Sequence, residues 1–312
     1  MKRVTILGGG PAGCAAARAA QIEGATACII EKSRFPRHKV CGEFFSPEIQ
    51  IELEKLRVWD AFLNAGPARI RRMKLHFGRK EKSSRLPEPA WGLSRHAFDA
   101  LLARDLETGS GTPQVIATGR AAIEPRGNRL FGFKAHFEGP VDDAVELFFF
   151  QGGYVGVSAV ENSYTNVCGL GPESFLRRFD FDFDRVVRES PSLAARIAPL
   201  TRRFDWLTTG PLKFAQNFSR DQDSYRAGDA LSFVDPFTGS GLLAAVKTGS
   251  LAGSAAARDL PLNEYYAQCR ACLKTPFEVA SMFRKTVTSG WAEWLVGLVP
   301  GKLLFRLTRP AK

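Results

Sequence analysis

The chain has 312 residues, a formal net charge of +11 and a hydrophobic fraction of 45%. That length and composition fit a globular protein of about two domains with a core large enough to need no covalent staple. Six dispersed cysteines argue against a disulfide framework and for reduced thiols in a cytoplasmic setting. A basic chain of this kind can serve an anionic substrate or an anionic membrane surface, and no nucleic-acid motif accompanies the charge.

With the first strand read from Val4, no leader peptide is expected, and no run reaches the ~18 apolar residues of a spanning helix. Val4-Thr5-Ile6-Leu7 runs into Gly8-Gly9-Gly10-Pro11-Ala12-Gly13 and then an alanine-rich stretch to Ala20. This reads as a strand, a Gly-x-Gly-x-x-Gly turn and a helix. Gly8 permits the turn, Gly10 lets backbone approach a pyrophosphate, and Gly13 lets the helix pack on the strand. The helix start offers free N–H groups to phosphate. Gly24 closes the helix, Ala25 to Ile30 is a second buried strand, and Glu31 stands where an acceptor for ribose hydroxyls belongs. A carboxylate there disfavours a 2′-phosphate, so the site suits FAD or NAD better than NADP.

A basic loop from Lys32 to Gly42 follows, with Phe35-Pro36-Arg37 and Cys41-Gly42. Pro47 to Phe62 is predicted helical, with Ile49, Leu53, Leu56 and Phe62 near one face. Arg69 to Phe77 is a strand, Gly78 to Pro89 a charged loop and turn, and Arg95 to Glu107 a helix. Val115 to Ala117 is a short strand ending at Thr118-Gly119. From Phe131 to Leu170 aromatic and β-branched runs, separated by Gly, Pro, Asn and Asp, predict an antiparallel sheet. Leu176 to Ala198 is mostly helical, broken near Pro191. A short strand at Ser224 to Ala227 leads to Gly228-Asp229, and Asp235-Pro236-Phe237-Thr238-Gly239-Ser240-Gly241 opens a helix from Leu242 to Ala257. An Asp beside a glycine can accept from ribityl or ribose hydroxyls. The small-residue turn aims N–H groups at one spot and would stabilise negative charge there.

The two ends, joined by Glu31-Lys-Ser-Arg-Phe-Pro-Arg37 and Lys39-Val-Cys-Gly-Glu43, resemble the geranylgeranyl reductase-like branch of FAD-dependent oxidoreductases, within the para-hydroxybenzoate hydroxylase-like flavoproteins. The resemblance covers most of the chain. It implies FAD and an α/β fold: a Rossmann-like FAD domain with an inserted antiparallel β-sheet substrate domain and a helical C-terminus, glutathione reductase-2-like. The FAD domain is expected over 1–58, 92–122 and 222–262, the substrate sheet over 59–91 and 123–221, and the C-terminal segment over 263–312. By match to the family, Gly8, Gly10, Pro11, Ala12, Gly13, Glu31 and Lys32 form the ADP site, with Arg37 and Arg95 as cofactor-side arginines. Gly228 and Asp229 contact the ribityl chain, and Pro236, Gly239, Gly241 and Leu242 form the flavin-ring backbone site. Cys41 and Gly42 would lie near the flavin, Cys41 as a small residue that clears space or as a chemical thiol.

There are departures. Thr118-Gly119 replaces the Asp-Gly pair that helps hydroxylases handle nicotinamide, so the reductant, NADH or NADPH, is open. The segment 108–114 is short where the family has extra strands near the adenine. Phe148-Phe149-Phe150-Gln151 lacks the Pro of the reductase motif, and no Trp-x-Trp-x-Ile-Pro of halogenases is present.

By alternation Phe148 and Phe150 share a face opposite Phe149, and an apolar substrate wall is expected from Phe133, Phe148, Phe150 and Tyr154, with plain sheet-to-helix core as the alternative for any single Phe. Lys134 and His136 share a strand face, expected to be solvated, with orientation of a phenol or carboxylate as the alternative. Cys269-x-x-Cys272 lacks the second pair of a zinc site and reads as incidental helix cysteines or a redox pair. Phe283, Val287, Trp291, Trp294 and Leu298 step along a helix with a basic tail. It either docks on the FAD domain or lies on an anionic membrane surface. The expected function is flavin-dependent oxidation chemistry on a small hydrophobic substrate. Hydroxylation driven by NAD(P)H stands first, reduction of an isoprenoid or polyketide double bond second, and a non-catalytic flavin-binding protein is the different class.

Overall fold

A computed structural model describes residues 2–120, 129–218, 223–233, 235–273 and 278. The predicted C-terminal helix with Phe283, Val287, Trp291, Trp294 and Leu298 lies outside them, as does the expected boundary near residue 122. The chain opens with β1 (Arg3–Leu7), α1 (Pro11–Ile22), β2 (Thr26–Ile30) and the two-residue β3 (Phe44–Phe45), followed by helices α2 (Ile49–Lys55) and α3 (Trp59–Asn64). The long hairpin β4 (Ala68–Phe77) and β5 (Lys80–Gly92) precedes α4 (Arg95–Ala103), β6 (Glu107–Thr108) and β7 (Val115–Ile116). Then come β8 (Leu130–Glu138), β9 (Ala144–Phe150), β10 (Gly153–Ala159) and β11 (Thr165–Pro172), and a layer of short helices α5 (Glu173–Leu176), α6 (Phe183–Arg188) and α7 (Pro191–Ile197). The return path is β12 (Thr201–Arg202), β13 (Leu207–Leu212), β14 (Ala215–Gln216), β15 (Tyr225–Arg226), β16 (Ser232–Phe233) and the long helix α8 (Gly241–Ala257).

Two sheets organise these elements. The first is five-stranded and parallel, in the order β15-β7-β1-β2-β6, so strands far apart in sequence meet beside the N-terminal unit. Val4, Ile6, Ala27 and Ile29 are buried, as the continuous apolar runs require of a sheet covered on both faces. The second runs β12-β8-β11-β10-β9-β4-β5-β3, with β13 also on β8. It is antiparallel except where β4 pairs with β9 in parallel, which makes it a mixed sheet. β3, from within the expected FAD segment 1–58, joins this second sheet through Phe44↔Gly92 and Phe45↔Trp91.

Other elements depart locally from expectation. The charged stretch 78–89 is the exposed strand β5, whose side chains alternate toward solvent while its backbone pairs with β4. The single helix expected over 47–62 is two, broken at Arg57 with φ of +58°, yet Ile49, Leu53, Leu56 and Phe62 are all buried. Pro191 begins α7, where its missing N–H costs nothing. Cys269 and Cys272 are buried free thiols on a helix over 262–273, and burial pushes the Cys269 thiol up to about 12. Among the described residues no helix is long and apolar enough to cross a membrane.

Helices α1 and α8 are pressed together. A Cβ on Gly249 would lie 2.1 Å from the Ala12 carbonyl oxygen, and one on Gly253 1.9 Å from that of Ala16. Both pairs advance by four residues, so the helices run parallel. Since α8 starts eight residues before Gly249 and α1 only one before Ala12, the N-terminus of α8 projects about 10 Å beyond that of α1 at 1.5 Å per residue.

Candidate cofactor site

The N-terminal turn is built for backbone approach. Gly8 has φ of +104°, and a Cβ there would lie 2.4 Å from the Ala117 carbonyl oxygen, so only glycine fits between β1 and β7. Gly10 is the N-cap of α1 in an extended conformation, with Pro11 at the first helical position and no side chain capping the free N–H groups. Space opens where a Gly10 Cβ would be: the nearest atom is an Arg95 guanidinium nitrogen at 3.9 Å. An uncapped helix start with a cation beside it and nothing filling the cradle fits a pyrophosphate. Arg95 is held by a bidentate pair to buried Asp99 at 2.6 and 2.7 Å. Burial works against its charge, yet Asp99 keeps the guanidinium above its ordinary pKa.

Glu31 closes the adjoining end. Its carboxylate accepts from the N–H groups of Gly9 and Ser33, each at 2.8 Å, with Arg37 at 3.5 Å. Burial pulls its pKa up, but these donors outweigh it and the carboxyl lies below its ordinary value. Arg37 also lies over the Phe35 ring, 5.0 Å from its centroid, while Lys32 is exposed. Beside Glu31 is a cavity of about 330 Å³ lined by Phe35, Ala100, Ala103, Leu106 and Thr108.

The second end is assembled at the start of α8. The Gly228 N–H donates to Thr248 Oγ1 at 2.9 Å, which fixes the short turn Gly228–Ala230 on α8. Asp229 next to it is half-buried, and among the described residues its carboxylate has no hydrogen-bond partner. Burial raises its pKa, partly offset by Arg95, Lys39 and Arg120. The turn Pro236–Thr238 is capped by Asp235, whose side chain accepts from the Phe237 N–H at 3.0 Å. No side chain caps α8, and Gly241 and Gly42 both have open space where a Cβ would be. Leu242, by contrast, is buried in the core. Arg120, just after Thr118-Gly119, donates to the Pro211 carbonyl and to Thr209 Oγ1, tying this cleft to β13.

On the second sheet the sheet-to-helix core alternative holds for the expected phenylalanines. Alternation puts Phe133, Phe148 and Phe150 on the face beneath α5–α7, where Phe133 stacks on Phe183 at 4.6 Å and Phe150 on Phe175 at 4.3 Å. They form that core instead of the wall facing the first sheet. Tyr154 is on the opposite face with Leu170, Phe149 and Leu212, and its ring centroid lies 6.0 Å from Phe237 in the turn before α8.

Lys134 and His136 do share a strand face, but neither is solvated: they are 0% and 2% exposed. Their face is covered by the loop that carries Cys41. Both bind the buried Glu43: Lys134 Nζ donates to Oε1, and His136 Nε2 lies 2.6 Å from Oε2. The Arg95 N–H also donates to Oε1 at 2.6 Å. Burial favours the acid form of Glu43, yet these partners hold it ionised, below the ordinary range. Three of the four histidines gather here, with His38 stacked on His96 at 4.8 Å and edge-on to His136 at 5.1 Å. Glu43, His38 and His96 were not singled out from sequence. The motif Cys-Gly-Glu contained Glu43, but nothing local shows that its partners sit 91 and 93 residues away. Cys41 is half-buried, its thiol raised by burial.

No family model matches the chain. A stretch of 53 residues, 17% of this chain, is 40% identical to a menaquinone reductase of Mycolicibacterium smegmatis, and that match covers 13% of the reductase. Among solved structures, the flavin-dependent brominase Bmp2 superposes with a TM-score of 0.78 at 17% identity, over 98% of this chain and 92% of that one. The chain has a flavoprotein fold. A geranylgeranyl bacteriochlorophyll reductase-like protein from Thermoplasma acidophilum gives a TM-score of 0.66 at 17% identity, over 99% of this chain and 92% of that one. At these identities the likeness carries the architecture, and the geometry above carries the chemistry.

Proposed function

We propose that the protein is an FAD-dependent oxidoreductase that hydroxylates a small hydrophobic aromatic, polyketide or quinone-type substrate, with NADH or NADPH as transient reductant. The observation that carries this reading is the parallel pair α1–α8, with two uncapped helix starts about 10 Å apart along the axis and, between them, the Asp229 carboxylate, which has no hydrogen-bond partner among the described residues. That is the arrangement a dinucleotide with a charged middle and a hydroxylated linker requires. Gly10 and Arg95 would take the pyrophosphate, Glu31 and the adjoining cavity the adenosine, Asp229 the ribityl hydroxyls, and the backbone at Gly239 to Gly241 the ring. FAD, when bound there, supplies the redox chemistry. This chain's residues would orient it: the α8 N–H groups would face negative charge on the ring, and Phe149, Tyr154, Leu170 and Phe237 would form an apolar wall beside it. The division of the chain into an FAD domain and a substrate sheet belongs to the same proposal, with β3 moved to the sheet.

A second reading, reduction of a carbon–carbon double bond, is favoured by the short stretch of identity to a menaquinone reductase. The test begins with FAD: purified protein should be yellow or take up FAD, and a colourless protein that takes up none ends both readings. With FAD bound, hydroxylation requires that substrate accelerate oxygen consumption in step with hydroxylated product. Undiminished turnover without oxygen selects the reductase.

A further inference from the structure

The loop from His38 to Glu43 leaves the first sheet's unit but is fastened to the second sheet. Asn166 Nδ2, on β11, donates to the Cys41 carbonyl at 3.1 Å. A Cβ on Gly132 of β8 would lie 3.1 Å from Val40. One residue beyond Gly42, Glu43 takes a left-handed φ of +54°, a conformation a residue with a side chain adopts only when its surroundings hold it there. Its carboxylate is fully buried and ties its own loop to two other parts of the fold: Lys134 and His136 of β8 and the first N–H of α4. The same α4 residue, Arg95, brings its guanidinium to the Gly10 cradle. A buried ionised carboxylate with three donors is costly to create and directional once made, so it fixes geometry more than it adds stability.

We propose that Glu43 is a positioning residue: its clamped carboxylate holds the Cys41–Gly42 bend against the substrate sheet and so sets one wall of the flavin ring. The claim rests on the flavin reading above. By this design the wall of the ring travels with the substrate sheet, so ring and substrate surface keep a fixed spacing. Lys134 and His136 are closed off from solvent and act through Glu43.

The test uses the full chain, FAD titration followed by flavin absorbance and fluorescence, and a melting curve for each variant. Wild type is titrated first, because a wild type that takes up no FAD ends the flavin reading and not the clamp alone. Glu43→Asp keeps the charge but withdraws the carboxylate by one methylene. It should weaken FAD binding about tenfold and shift the visible band or the fluorescence of the bound flavin. Glu43→Gln combined with Lys134→Met keeps shape and the acceptor for the Arg95 N–H while removing the buried charges. This pair should bind FAD within about threefold of wild type, with a wild-type spectrum. The proposal is overturned if Glu43→Asp lowers the melting temperature alone and leaves affinity and spectrum unchanged. It is equally overturned if the neutral pair folds but loses FAD as severely as Glu43→Asp, because the charge and not the position would then matter. Should Glu43→Asp not fold, Asn166→Ala, which frees only the Cys41 carbonyl, should still shift the flavin spectrum, and an unchanged spectrum overturns the clamp.

Discussion

Two glycines two residues apart separate folding from binding. A side chain on Gly8 would collide with the Ala117 backbone, so Gly8→Val should fail to fold, or lose several kcal/mol, on steric grounds alone. A side chain on Gly10 meets open space, so Gly10→Val should fold with a melting temperature near wild type and yet lose FAD binding at least a hundredfold. Melting curves and FAD titration on both variants check the contrast, and a Gly10→Val protein that still binds FAD tightly removes the pyrophosphate assignment. Asp229→Ala should likewise fold, because among the described residues no hydrogen bond depends on its carboxylate, and should bind FAD about tenfold or more weakly. His38 supplies a pH prediction. Burial, then the charges of Lys134, His136 and His96, pull its pKa down to about 4, with Glu43 partly opposing. The unfolded chain, with histidine near 6.5, therefore binds more protons than the folded one between these values. Stability from this group is fully present above about 6.5 and is lost as pH falls toward 4. His38→Phe should flatten the urea midpoint over that window, and a slope identical to wild type would assign the loss to other groups.

At the scale of elements, the helix pair is the feature on which the cofactor site depends. Gly253→Val would force a methyl-sized group into the Ala16 carbonyl, so α1 and α8 must separate or shear. The expected cost is about 1–3 kcal/mol by denaturant unfolding, with FAD affinity falling more than stability alone explains, because the two helix starts lose their spacing. Substitution at Gly24, where nothing lies within 4 Å, serves as the control for space, though its φ of +82° adds strain of its own. The same elements show what sequence made legible. The strand, glycine turn and helix at 3–22 and the helix at 241–257 were readable because their signals are local: apolar runs, small residues and a turn in fixed order. The polar partners were not, because Glu43 meets Lys134 and His136 only where its loop folds over the face of β8, 91 and 93 residues along the chain. Alternation correctly separated Phe148 from Phe149, but it could not say which face meets the helices and which meets the first sheet. The strand at 80–92 was hidden by its charges, since an exposed strand at the margin of a sheet carries polar residues that read as loop.

At the scale of the molecule, the candidate site draws on segments near residues 8–13, 31–43, 95–120 and 228–241, with the second sheet clamped to it through Glu43 and Arg120. A ligand that touches all of these binds only the assembled fold, so its free energy adds to global stability. With FAD at a hundredfold excess over its dissociation constant, that addition is about 2.7 kcal/mol. For a chain of this size the melting temperature should rise by roughly 4 °C, and by a further increment for each tenfold of free FAD. The two sheets should melt together, with far-UV dichroism and flavin fluorescence sharing one midpoint, because the clamps bridge them. Asp229→Ala should reduce the FAD-dependent shift without altering the ligand-free midpoint by more than about a degree. A flavin signal that departs well before the dichroism would mean that the site opens as a separate unit, and the clamps would then be local contacts and not the coupling between the candidate site and the second sheet.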